Sequence, residues 1–294
     1  MKKNSVFTIF GILFGLNLLA WIAVWELRPQ ELEVTFFDIG QGDAAFIETP
    51  ERLQILIDGG PSSVILEKLG QEMPFWDRTI DLVILTHPER DHLAGLLEVL
   101  KSYRVENILW TGVVRDTAEY KEWQRLIKEE GANIFIAKAG QKISLAVSNT
   151  AKLLEVLYPF EGLEGKKLKD SNNTSIIARL VFGKTSFLFT GDATQSVEKE
   201  LILGRTEYKA QLDSDVLKVG HHGSDTSTTQ AFLDAVAPSV AAISVGRSNH
   251  FGHPSRRVLR RLERAGVTAY RTDSNGDIRI TSDGKEIRVS PAHR

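Results

Sequence analysis

Five strand-like apolar runs in this chain lead into a histidine or an aspartate. "RLQILIDGG" reaches Asp58, "IDLVILTH" reaches His87 and "KTSFLFTGD" reaches Asp192. "DVLKVGHHG" reaches His221 and His222, and "SVAAISVG" leads on to His250 and His253. Six of the seven histidines thus fall in three tight groups, His87/His92, His221/His222 and His250/His253. An isolated histidine is usually a structural residue. So many strand ends delivering His or Asp imply strands that share one edge of a layered scaffold, where a rigid core positions the loop side chains.

The order of patterns narrows the architecture. "LEVTFFDIG" and "DAAFIETP" read as two strands joined by the turn Gly40-Gln41-Gly42, with "RLQILIDGG" as a third. "SVILEKLGQEM" reads as a short helix, and the continuous apolar "IDLVILTH" as a strand buried on both faces. "DHLAGLLEVLKSY" has helical spacing, with Asp91 at its start in an N-cap setting. A strand ("VENILW"), a helix over 117–130 and a strand ("ANIFIAKAG") follow. After "KLLEVLYP" and the polar loop "EGLEGKKLKDSNN" the order repeats. A hairpin turning at Phe182-Gly183-Lys184 precedes a helix over 195–203, and strands then alternate with helices up to three short closing strands. Two mixed sheets covered by outer helices, a four-layer αββα sandwich of the α/β (α+β) class, fit better than a doubly wound parallel sheet. No G-x-G-x-x-G or Walker pattern follows the third strand, which counts against nucleotide-binding folds.

The N-terminus is of another kind. "SVFTIFGILFGLNLLAWIAVW", residues 5–25, has no charge and no polar face. About 20 apolar residues suffice to span a bilayer core as a helix. Ala20 and Ala23 are one residue too far apart for a small-x-small cleavage site, so an uncleaved anchor is favoured over a cleaved signal. The expected organisation is a cytoplasmic tip at 1–4, a transmembrane anchor at 5–25, a linker at 26–31 and one large domain at 32–294. Lys2 and Lys3 put the N-terminus inside by the positive-inside rule, leaving the large domain extracytoplasmic on the cell membrane. The net charge of −2 provides no global field toward nucleic acid, and zero cysteines exclude disulfides and thiolate ligands.

The densest chemistry lies in "HPERDH", residues 87–92. Pro88 keeps the loop out of a helix, so His87 and Glu89 point to one side and Asp91 and His92 sit on the next turn. Such a loop can give two ligands to one metal and two to a neighbour.

In this order occur "DIGQGDA", "LIDGG", "THPERDH", "NNTS", "FTGDA", "KVGHHGS" and "NHFGHP". The chain resembles the metallo-β-lactamase superfamily, and closely the β-lactamase-like domain of ComEC-type DNA-internalisation competence proteins, over about residues 32–290. The resemblance implies an αββα hydrolase with two divalent metal ions between the sheets. His87 and Glu89 would serve the first metal. Asp91, His92 and either His221 or His222 would serve the second, with Asp192 bridging both and Asp58 ordering the metal loop from behind. His222 is the preferred ligand because the Gly-Ser after it matches other superfamily loops; the sequence does not separate it from His221. Two departures matter: the usual pattern has histidine where this chain has Glu89 and Asn173. With Asn173 a weak ligand, the first position is rich in oxygen, which suits Mn²⁺ or Mg²⁺, while the second, a mixed N/O set, suits Zn²⁺ or Mn²⁺; the expectation is a Mn²⁺-compatible dinuclear site, or one tight and one loose metal.

The expected reaction is phosphodiester hydrolysis, with Asp91 and Asp58 in the catalytic constellation and His253 bonding a non-bridging oxygen or protonating the leaving group. Gln41, Asp43 and Ser224 are expected at the rim that meets substrate. Arg256, Arg257, Arg260, Arg261 and Arg264 share an arc of about 140° on one helix, so Arg257 and Arg260 are candidate contacts to a nucleic-acid backbone. The leading reading is a membrane-anchored nuclease acting on DNA, with a competence channel as a partner. Its rivals are hydrolysis of a lactam, lactone or thioester, which Glu89 and Asn173 disfavour, and a non-catalytic DNA- or partner-binding module. Retention of Asp91, His92, Asp192 and His222 disfavours the latter.

Overall fold

Alternation along the central strands decides the layering. In β3 (Gln54–Ile57) and β4 (Thr79–Leu85), Ile55, Ile57, Leu82 and Ile84 face one core while Leu56, Val83 and Leu85 face another. Successive strand residues point to opposite faces, and both faces are covered, so the strands read as unbroken apolar runs.

A computed structural model of the chain describes residues 3–26, 31–145, 152–203 and 211–291. Two compact units result, Met1–Glu31 and Leu32–Arg294. In the first, α1 is a helix over Lys3–Glu26. Its described side chains, residues 7–21, are almost all exposed, Phe7, Phe10, Phe14 and Trp21 among them. That stretch measures ~22 Å at 1.5 Å per residue. Among the described residues no helix is long and apolar enough to cross a membrane, so the anchor expected at 5–25 is without structural support. Residues 1–2 of the tip, 27–30 of the linker and 292–294 lie outside the described residues.

The second unit holds two sheets. The first runs β15-β14-β1-β2-β3-β4-β5-β6, with β1 Leu32–Phe36, β2 Ala45–Glu48, β5 Arg104–Trp110, β6 Asn133–Ile136, β14 Ile278–Ser282 and β15 Ile287–Pro291. The second runs β13-β12-β11-β10-β9-β8-β7, with β7 Lys142–Ser144, β8 Lys152–Tyr158, β9 Ile177–Phe182, β10 Thr185–Phe189, β11 Val216–Lys218, β12 Val240–Ile243 and β13 Thr268–Arg271. Three apolar cores separate four layers. Val34, Ile57, Ile84, Leu180 and Phe187 meet between the sheets. Leu56, Val83 and Ile108 pack under α2 (Val64–Glu72), α3 (Arg90–Ser102) and α4 (Ala118–Glu130), with Leu69, Leu96 and Trp123 from those helices. Leu188, Leu217 and Ala241 pack under α5 (Gln195–Leu203), α6 (Gln230–Val236) and α7 (Arg256–Arg264), with Leu201, Phe232 and Leu262. This is the mixed α/β sandwich expected from the element order.

One feature of connectivity was not legible. After β13 and the short α8 (Thr272–Asn275), the chain leaves the second sheet, and β14 pairs antiparallel with β1, Val34 opposite Ile280. Local patterns mark β14 and β15 as strands but carry no information on which sheet edge they join.

Strand direction then positions the site. β3, β4 and β5 are mutually parallel, as are β10, β11 and β12, so Asp58, His87, Asp192 and His221/His222 all leave C-terminal strand ends. Helix α3 is docked by backbone contact: Gly59 N donates to His92 O at 2.8 Å and Gly95 N donates to Gly60 O at 2.8 Å. A Cβ at Gly95 would lie 1.8 Å from Gly59 O, whereas one at Gly70, on the exposed face of α2, meets nothing within 4 Å. Gly95→Ala is therefore expected to lower unfolding free energy by ~1–3 kcal/mol through overpacking. Gly70→Ala should raise it by up to ~1 kcal/mol through helix propensity. Urea denaturation of the pair checks both signs.

Candidate metal centre

Asp58 follows β3 in the left-handed region, φ 58°, and is fully buried. Its Oδ1 accepts from Thr86 N at 2.8 Å, and its Oδ2 accepts from Thr86 Oγ1 at 2.6 Å and from His92 Nδ1 at 2.8 Å. Burial pushes the Asp58 carboxyl up, and His92 and Thr86 oppose that shift. The network assigns tautomers. Thr86 gives its hydroxyl proton to Asp58, so His87 Nδ1, 3.1 Å from Thr86 Oγ1, is the donor in that contact. His222 Nδ1 donates to Ser244 O at 2.9 Å. In all three rings the Nε2 atom is left over.

Those atoms converge. His87 Nε2, His92 Nε2, His222 Nε2 and Asp192 Oδ1 are buried and have no hydrogen-bond partner among the described residues. His92 Nε2 is 3.4 Å from Asp192 Oδ1, and His222 Nε2 is 3.3 Å from Asp91 Oδ2 and 3.4 Å from Asp192 Oδ2. The His87 and His92 rings lie 4.2 Å apart, and those of His92 and His222 5.5 Å apart. Unpaired buried polar atoms are costly, and a divalent cation satisfies this donor set directly. Asp43, His92, Asp192 and His222 can each place one ligand atom within 4.8 Å of the others.

Asp43 lies on the Nδ1 side of these rings, its Oδ1 3.1 Å from His222 Nδ1 and its other oxygen against Lys218 Nζ. The expectation of Asp43 at a substrate rim thus differs from its burial beneath the cluster, where Lys218 and His222 outweigh burial and keep its carboxyl below the usual range.

The structure distinguishes the two neighbouring histidines. Both lie in the left-handed region, φ 49° for His221 and 53° for His222, which costs roughly 1–2 kcal/mol per non-glycine residue. The backbone thereby splays the rings. His222 turns inward to Asp91 and Asp192. His221 stays partly exposed, with Nε2 3.8 Å from Asp192 Oδ2 and its ring 5.7 Å from that of His253. His253 is half-buried; burial first, then His221 and His222, lower its pKa, favouring a neutral imidazole. His250 is exposed.

Other expected site residues are engaged elsewhere. Glu89 Oε1 accepts from Arg115 Nη2 at 2.6 Å and from Ser171 Oγ. Asn173 Oδ1 accepts from Thr194 Oγ1 at 2.6 Å, and its Nδ2 donates to Asp170 at 2.7 Å. Gln41 Oε1 accepts from Gly246 N at 3.1 Å, tying two loops together, and Ser224 is buried against Thr226. Arg257 is exposed, 3.7 Å from Asp225, and Arg260 lines a groove on α7. Sequence reasoning missed Thr86, Arg115, Ser171, Lys218 and Ser244. Lys218 alone left a signal, as a lysine inside an apolar strand.

An αββα sandwich with an Asp/His cluster where strand ends of both sheets meet defines a metallohydrolase-type scaffold. The model of the Metallo-beta-lactamase superfamily matches residues 38–247, and the chain belongs to that superfamily. It is 34% identical over 273 residues to ComE operon protein 3 of Bacillus subtilis (strain 168), covering 87% of this chain and 34% of that protein. It is 29% identical over 282 residues to Competence protein ComA of Neisseria gonorrhoeae, covering 90% of this chain and 36% of that protein. These relatives bear out the resemblance to ComEC-type proteins, and the chain spans about a third of their length. Among solved structures, Igni18 from Ignicoccus hospitalis KIN4/I has a TM-score of 0.52 at 16% identity, covering 88% of this chain and 98% of its own. Zn²⁺-bound PqqB from Methylobacterium extorquens has a TM-score of 0.51 at 11% identity, covering 85% and 99%. These likenesses show the fold.

Metal and protons compete for the same nitrogens. Burial disfavours charge on His92 and His222, but Asp192 with Asp58 or Asp43 outweighs it, so both pKa values lie well above 6.5 without metal. His87, buried and beside charged His92, drops to about 3 and is neutral. Metal binding must then expel protons from His92 and His222. Apparent affinity should rise with pH from 6 upward, by up to about tenfold per unit for each proton displaced. Calorimetry in buffers of differing ionisation enthalpy should register proton release.

Proposed function

We propose that this chain is a metal-dependent phosphodiesterase acting on DNA, held at a membrane by α1 and working beside a competence channel. The observation that carries the hydrolase reading is the convergence of four buried, unpartnered ligand atoms, from His87, His92, His222 and Asp192. His92 and His222 would hold a divalent ion through Nε2, and Asp192 and Asp91 through carboxylate oxygens. We propose two ions, Mn²⁺ or Zn²⁺, with the position nearer His87 the weaker because Glu89 and Asn173 are bonded to protein partners. Bound divalent metal supplies Lewis acidity and a water nucleophile at neutral pH.

The chain's own groups do the rest. Asp58 orients His92 and, through Thr86, His87. Without metal, burial opposes ionisation of Asp91, but the neighbouring charged rings of His222, 3.3 Å away, and His92 outweigh it and keep Asp91 ionised. His253, its backbone N donating to Asn249 Oδ1 at 3.0 Å and its ring 5.7 Å from that of His221, would hold a hydrogen bond to a phosphate oxygen. The names of the relatives, a competence protein and a Recombination protein 2 among them, support DNA as the substrate. A non-catalytic module is favoured only by the engagement of Glu89 with Arg115 and Ser171.

The full chain loaded with Mn²⁺ or Zn²⁺ should hydrolyse single-stranded DNA and a chromogenic phosphodiester and leave a β-lactam intact. Asp192→Ala should fall below about one per cent of the wild-type rate. Absence of hydrolysis with metal shown bound refutes the enzyme, and full activity of Asp192→Ala refutes the site.

The membrane reading rests on the uncharged run at 5–25 and on the exposed apolar side chains of α1, since soluble proteins rarely expose such a continuous surface. Lys2 and Lys3 orient the N-terminus inward. A reporter active only outside the cytoplasm, fused after Arg294, should be active; cytoplasmic activity of a complementary reporter overturns the orientation.

A further inference from the structure

Helix α7 concentrates charge that helix stability explains only in part, since Arg261 and Arg264 suit the last turn but Arg256, Arg257 and Arg260 gain nothing from it. Arg256, Arg257, Arg260, Arg261 and Arg264 occupy nine residues, with Glu263 the one acid among them. Arg256 and Arg257 lie in the first turn, where the helix dipole disfavours cations by roughly 0.3–1 kcal/mol each. Among the described residues, Arg256, Arg260 and Arg264 have no carboxylate within 4.0 Å, and Arg257 has only the exposed Asp225 at 3.7 Å. The apolar side of α7 is already used, with Val258 and Leu262 buried beneath it, so no hydrophobic face remains to enter a lipid surface.

These arginines line a groove. Arg257, Arg260, Arg261 and Arg264, with Gln230 at the start of α6, surround a cavity of about 440 Å³. The groove is joined to the metal loop by backbone. Ser255 N, at the α7 cap, donates to Gly223 O at 2.8 Å, next to His222. Arg261 Nη1 donates to Thr228 O at 2.9 Å, and buried Glu198 accepts from Thr228 N and from Thr229 N at 2.9 Å, fixing the segment from the metal loop to α6. Arg261 is therefore committed to the scaffold, while Arg257, Arg260 and Arg264 repeat along the exposed side at i, i+3 and i+7.

We propose that the α6–α7 groove is a binding track for the sugar–phosphate backbone of a single nucleic-acid strand whose scissile phosphate lies at the metal centre. The proposal rests on the phosphodiesterase reading and names the part of that site that selects a polymer. Recognition would be electrostatic and independent of base sequence, through release of condensed counterions.

The test measures binding to metal-free protein, so that hydrolysis plays no part and its failure leaves the proposal open to judgement. Fluorescence anisotropy with a 30-nucleotide labelled single-stranded DNA compares wild type with a triple variant, Arg257→Ala, Arg260→Ala and Arg264→Ala. Affinity should fall by about tenfold or more at 0.1 M salt, and the slope of log K against log salt should shrink by about 2, three contacts at ~0.7 each. Changing the same three positions to lysine should keep the slope near wild type, which separates lost charge from lost fold. A control removing three positive charges from the loop at Lys166, Lys167 and Lys169 should change neither quantity. Unchanged affinity and slope in the alanine variant, or an equal loss in the loop control, overturns the proposal.

Discussion

The Asp58 carboxylate is the contact on which the rest of the centre depends. It is buried between β3, β4 and α3 and takes hydrogen bonds from the Thr86 backbone, the Thr86 hydroxyl and His92. A buried carboxylate is tolerable only with such compensation. Through His92 it leaves one Nε2 free, and through Thr86 it does the same for His87. Its left-handed backbone turns the chain into Gly59 and Gly60, against which α3 lies in backbone contact. One group thus couples the docking of α3 to the aim of two imidazoles, and the close approach demands glycine at both Gly59 and Gly95.

The second sheet answers from the opposite side. Asp192 and His222 follow parallel strands, so they reach the same edge as His92 without any long-range sequence signal linking them. Paired left-handed residues at 221 and 222 send one ring inward and keep the other near the surface beside His253. Strain of this kind persists where surrounding structure fixes it, and is concentrated at functional sites. The same loop continues into the segment held by Glu198 and Arg261, so the metal loop and the arginine-bearing helix form one connected structure.

Most of this was legible in the sequence because period-two and period-3.6 patterns report burial directly, and because strand ends bearing His or Asp are local signals. Glu89 and Asn173 show the limit. Their spacing suits ligation, yet whether each side chain meets a metal or a protein partner depends on Arg115, Ser171, Thr194 and Ser196, remote in sequence from one or the other. Asp43 shows it again: a glycine-rich turn suggests a surface rim, whereas Lys218, on a strand of the other sheet, draws its carboxylate beneath the cluster.

The sequence by itself determined the element order apart from β7 and α8, the two-sheet sandwich and the set of histidines and aspartates, since each follows from short-range periodicity and turn chemistry. Tertiary structure alone decided which sheet β14 and β15 join, which of His221 and His222 points inward, and which ring nitrogens are left without partners. Those outcomes depend on backbone direction and on hydrogen bonds between residues far apart in the chain, such as His222 with Ser244 and Asp58 with His92. No local pattern encodes a donor whose acceptor arrives only when two sheets close on each other.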